Sequence, residues 1–158
     1  MSDKILEFIT DYMQAHSLSH DMDDIRYIHF GYNNEQSEAD LNQLRARKKS
    51  AGFVAKEWFE IQNLKLPKVG LTLVFADYHG MPKAVGKVTH IKMVAYQDMT
   101  ENIANDIAIG DGSLAQWRAK RTGSLIESCN DAGIVFSKHT ELLVYWFELL
   151  LSPQDQAV

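Results

Sequence analysis

The chain predicts an α+β fold in which about five to six short strands curl into a small β-barrel with flanking helices. Three observations carry this. Apolar residues recur at helical spacing near the N-terminus and again over 114–130. Between them lie short extended runs bounded by Gly, Pro and Asp turns. Near the C-terminus, Leu142 to Leu150 is almost continuously apolar, the pattern of a strand covered on both faces. Strands grouped between helices, rather than alternating with them, give α+β.

In chain order, Ile5, Phe8, Ile9, Tyr12 and Met13 mark an amphipathic helix within residues 1–20, with Ser2 as its N-cap and a covering role. An acidic link, Ser17 to Asp24, leads to the apolar stretch Tyr27 to Gly31. Ser37-Glu38-Ala39-Asp40 reads as a capping signal, and Leu41 and Leu44 supply the buried stripe of a helix running toward Arg47 or Lys48. Phe53 to Phe59 reads as a strand with an aromatic end at Trp58-Phe59. Leu66 to Gly70 turns the chain into a strand at Leu71 to Phe75. Asp77-Tyr78-His79-Gly80 closes a hairpin into Ala84 to Val88, and Ile91 to Tyr96 continues extended. Thr100 to Ile107 reads as a short helix. Asp111-Gly112-Ser113 caps a longer one, Leu114 to Asn130, with a stripe of Leu114, Trp117, Leu125 and Cys129 weakened by Gly123.

At 158 residues the chain suits one domain, 1–158, and 46% hydrophobic with 23% charged residues excludes disorder. The apolar run near Leu151 is broken by Glu148 and falls short of a membrane span. The N-terminus lacks a basic stretch followed by an apolar one, and the single cysteine forms no internal disulfide, so a cytoplasmic location is expected. The net charge of −5 is uneven: residues 1–44 carry nine Asp/Glu against two Lys/Arg, while 45–158 carry 14 Lys/Arg against 12 Asp/Glu. A local basic corner on an acidic chain suits a small footprint, a nucleotide or a short single strand, better than a long duplex.

That corner is Arg45-Ala46-Arg47-Lys48-Lys49-Ser50-Ala51-Gly52, where a helix passes into an extended segment. Arg45, Arg47 and Lys48 suit a helix C-terminus as well as they suit a phosphate. Lys49, desolvated beside other cations, becomes a candidate base or nucleophile activator, with Ser50 as a hydroxyl. A second constellation joins the Asp111-Gly112-Ser113 cap to Arg118 and Arg121, three residues apart on one helix. Trp58 is placed either to stack a base or to pack as a wall. Metal and cofactor are expected to be absent: there is no phosphate-binding loop, no His-Glu-x-x-His and no Cys-x-x-Cys, and His139 and Glu141 alone make no metal site. Cys129, on a helical stripe, reads as packed rather than reactive.

Taken together, His29-Phe30-Gly31, Arg47-Lys48-Lys49-Ser50-Ala51, Leu66-Pro67-Lys68-Val69-Gly70 and Gly110-Asp111-Gly112-Ser113-Leu114-Ala115-Gln116-Trp117-Arg118 resemble the ASCH-domain family, whose members have a PUA-like barrel. The second and fourth pieces are similar to the family's Gly-Lys-Lys-Thr-Ala turn and its Gly-Asp-x-Ser-Leu-x-x-Trp-Arg. The likeness covers about 28–150, and the length resembles the longer bacterial branch. It implies RNA or nucleotide-derived ligands in a cleft beside the lysine turn, drawing on Arg47, Lys48, Lys49, Trp58, Arg118 and Arg121. It also implies an alternative, hydrolysis of acetylated cytidine or RNA. Carried over by position, the family's lysine falls on Lys49. Its threonine falls on Gly52, leaving Ser50 as the nearest hydroxyl. Its glutamate falls within Ile107-Ala108-Ile109, leaving Asp106 or Asp111 to stand in. Tyr145-Trp146 occupies the place of a frequent Glu-Arg. The catalytic set under this reading is Lys49, Ser50 and Asp111. A third reading is a degenerate domain in which the Tyr-Trp strand serves protein association, for example as a homodimer.

Overall fold

The structure, a computed structural model, describes Glu7, Asp11, residues 25–31 and residues 33–151. The helix expected within residues 1–20 lies outside the described residues except for Glu7 and Asp11, both helical and exposed. In chain order come β1 (Ile25–His29), α1 (Asn34–Arg45), β2 (Ala51–Ala55), α2 (Lys56–Ile61), β3 (Thr72–Ala76) and β4 (Pro82–Ala95). A 3-10 turn (Tyr96–Asp98), α3 (Glu101–Ile107), α4 (Leu114–Asp131) and β5 (Glu141–Leu151) complete the order. The strands form one sheet in the order β1-β3-β4-β5-β2. Among the described residues, only the β1–β3 pairing is parallel. The sheet curls into a half-barrel of the PUA-like kind, so that β1 and β2, its two edge strands, line the same cavity.

β5 explains why its sequence is apolar almost throughout. It lies inside the sheet, between β4 and β2, and alternate residues enter different cores. Leu142 and Val144 join Trp117, Leu125, Ile103 and Ile107 beneath α3 and α4. Leu143, Tyr145 and Phe147 join Phe30, Leu41, Leu44, Leu73 and Phe75 on the other face. Both cores therefore depend on this strand.

Several expected elements take a different form. The strand expected over Phe53 to Phe59 ends at Ala55, and Lys56 to Ile61 is helical. The aromatic pair Trp58-Phe59 favours a strand locally, but here the pair spans both cores, with Phe59 buried and Trp58 against each. The cap of α1 is Asn33, whose side chain accepts from Gln36 N–H at 2.9 Å, not Ser37 to Asp40. Ser37 and Asp40 lie instead on the buried face of that helix. The two extended runs at 84–88 and 91–96 are one strand, β4, with a register shift between Val88 and His90. Ser113 caps α4 as its sequence suggests, accepting from Gln116 N–H, while Thr100, expected as the first residue of its helix, is instead the cap of α3 and accepts from Ile103 N–H. No helix among the described residues is long and apolar enough to cross a membrane.

Candidate functional site

The end of α1 delivers Lys49 to the interior. Arg47 sits in the left-handed region with φ 57°, a position usually taken by glycine just past a helix. The amides of Lys48 and Lys49 both turn back to Gln43 O, at 3.0 and 3.3 Å. Ser50 then straps the corner through its backbone: its N–H donates to Asp106 O at 2.9 Å, and its carbonyl accepts from Phe147 N–H at 3.0 Å. With Ser50 held this way, the Lys49 side chain turns inward and is only 4% exposed.

Inside, Lys49 Nζ donates to Ile107 O at 2.8 Å and lies 4.6 Å from the centre of the Phe30 ring. The carbonyl belongs to the last turn of α3, which carries partial negative charge. Burial lowers the lysine to about 8, against an opposing pull from Asp40 and a further push from Arg121. Asp40 on α1 and Arg121 on α4 form a buried ion pair, Oδ1 to Nη2 at 3.1 Å. Asp40 also acts with burial to push the Tyr145 phenol well above its ordinary range. Lys49, Asp40, Arg121 and Tyr145 all line one cavity of about 880 Å³, walled by Phe30, Phe53, Trp58 and Phe59. At its rim are Arg26, Lys65 and Lys68; Arg26 donates to Lys65 O and lies 5.8 Å from the Phe59 ring.

The sequence-chosen residues divide on this geometry. Lys49, Trp58 and Arg121 line the cavity, whereas Ser50, Asp111, Arg47, Lys48 and Arg118 do not. Arg47 and Lys48 are exposed at the end of α1. Asp111 is exposed, and hydrogen bonds from the Ser113 side chain and from Ser113 N–H, the latter to Oδ1, lower its pKa. Arg118 and Arg121 do not converge: Arg118 stacks over Tyr96 at 5.6 Å, while Arg121 turns to Asp40. Asp106, the other acid suggested for the site, accepts from Trp146 Nε1 at 2.9 Å. Asp40 and Tyr145 were not chosen from the sequence as site residues. In the sequence Asp40 reads as part of a cap, and Tyr145 as part of an apolar strand whose Tyr-Trp pair suits protein association.

The chain matches the ASCH domain over residues 26–151. Its fold is shared with the crystal structure of an ASCH domain from Lactobacillus crispatus JV V101. That pair has a TM-score of 0.82 at 20% identity, covering 96% of each chain. It is also shared with the protein EF3133 from Enterococcus faecalis V583, at a TM-score of 0.81 and 18% identity, covering 96% of this chain and 95% of that one. No curated protein matches the sequence. The lysine turn, the capped helix after Gly110 and the half-barrel thus occur together in a chain matched over most of its length, and the chain belongs to the ASCH domain family.

Proposed function

We propose that the cleft binds RNA or a modified nucleoside, with Lys49 at its floor and Trp58 in its wall. One observation carries this reading: a single cavity of about 880 Å³ brings aromatic rings and cations together. The volume lies in the range of small-molecule sites, roughly 300–1,000 Å³. Flat rings suit a nucleobase, and the rim cations suit its phosphate. A concave site favours one unstacked base over a duplex. Arg47 and Lys48, outside the cavity, are left for a phosphate beyond the bound base.

Calorimetric titration of cytidine, N4-acetylcytidine and a short single-stranded RNA into the wild type and Lys49→Met tests this. Lys49→Met keeps the length of the side chain and removes its charge, so the fold is retained while affinity falls by about tenfold or more. Equal affinity in the variant, or no binding of any probe by the wild type, overturns the reading.

A second reading is lysine-dependent hydrolysis, supported by the lysine pKa of about 8. Roughly a tenth of such amines are neutral at pH 7 and able to take a proton from water. Ser50 and Asp111 do not line the cavity, so this chemistry would rest on Lys49. It predicts turnover of N4-acetylcytidine or short RNA that rises through pH 8 and vanishes in Lys49→Met. A wild type inert toward both substrates counts against it.

A further inference from the structure

Gly52 and Tyr145 are direct partners across the β2–β5 ladder. A β-carbon built on Gly52 would lie 2.3 Å from Tyr145 Oη and 2.4 Å from its Cζ. The phenol end of Tyr145 therefore occupies the space that any side chain at 52 would need. Both residues line the cavity, and Tyr145 is only 4% exposed.

Ring-over-glycine packing alone does not account for the hydroxyl. The same sheet holds a second such contact, in which a β-carbon on Gly86 would meet the Phe75 ring at 2.9 Å. There a phenyl group covers the glycine. At Gly52 the ring carries in addition a hydroxyl that finds no hydrogen-bond partner among the described residues. No hydrogen bond to a described residue occupies that hydroxyl, so in the cavity wall it is available to an atom of the ligand.

We propose that Tyr145 Oη–H donates a hydrogen bond to a carbonyl oxygen of the bound nucleobase, and that Gly52 stays bare to leave that hydroxyl its place. This rests on the nucleoside reading given above. Burial and the nearby Asp40 charge hold the phenol protonated, which makes it a donor and not a nucleophile. It supplies a hydroxyl on the floor of the cleft without one at position 52, and without calling on Ser50.

The test is Tyr145→Phe, which keeps the ring and removes only the oxygen. Cytidine, N4-acetylcytidine and inorganic phosphate are titrated into the wild type and the variant, and both proteins are melted without ligand. The expected result is a loss of about tenfold for the nucleosides, with phosphate affinity unchanged and a melting temperature equal to or above that of the wild type. A second variant, Gly52→Ala, displaces the phenol and is expected to give a comparable loss. Equal nucleoside affinity in Tyr145→Phe overturns the role of the hydroxyl and leaves the nucleoside reading standing. Loss of phosphate binding alone assigns the contact to another acceptor and overturns the carbonyl assignment. A lowered melting temperature assigns the hydroxyl to the fold. A wild type that binds no nucleoside removes both readings together.

Discussion

Lys49 shows how one residue can be held by the fold and still work against it. Its ammonium has one carbonyl and one aromatic face for company, in a place that water does not reach freely. Because folding lowers its pKa from 10.5 to about 8, the unfolded chain keeps this proton between those values while the folded chain has lost it. Stability from this group therefore rises with pH across the window from about 8 to 10.5. Below pH 8 the full penalty, about 3 kcal/mol before other contacts are counted, is present. Lys49→Met should accordingly melt a few degrees above the wild type at pH 7, with the gap closing as pH approaches 10. Thermal melts at the two pH values check this. A variant that melts lower at pH 7 would mean that the Ile107 bond outweighs desolvation.

Between elements, the Asp40–Arg121 pair joins α1 to α4 across the head of the cavity. Removing one partner strands the other as a buried charge, which typically costs about 3–5 kcal/mol. Asp40→Asn is therefore expected to lower the urea midpoint sharply. It is also expected to lower the Lys49 pKa, since the carboxylate is what holds that value up. The acid limb of any Lys49-dependent pH profile should then move to lower pH, and an unmoved limb would show that Asp40 does not act on Lys49. This pair also marks where sequence reading stopped. Ser113 was legible because a cap is a local event, and β5 was legible because burial on both faces leaves a continuous apolar run. Asp40 and Arg121 stand 81 residues apart, and neither local pattern distinguishes them from surface charges. The Gly52–Tyr145 contact depends on strand register, which periodicity alone does not set. Trp58 reads as part of a strand in the sequence because aromatic residues favour one locally, and its packing against both cores decides otherwise.

For the whole molecule, a net charge of −5 repels polyanions, and attraction is left to the cavity rim. Lys49 is enclosed and Arg121 is paired with Asp40, so among the described residues the cavity cations left to meet phosphate from outside are Lys65, Lys68 and Arg26, the last also bonded to Lys65 O. Three phosphate contacts with a single strand give a slope of log affinity against log salt of about −2. Titrations of short RNA across a salt series are expected to give that shallow dependence. A slope near −5 would indicate a longer phosphate track over the surface.

The sheet stops short of closing, and its two ends meet only across the cavity. A ligand that touches β1 on one side and β2 on the other is then a removable staple between the first and last strands of the sheet. Its binding energy becomes part of the energy that keeps the curvature. At a hundred times its dissociation constant, such a ligand adds about 2.7 kcal/mol to the folded state. In this architecture, recognition and the shape of the protein draw on the same equilibrium.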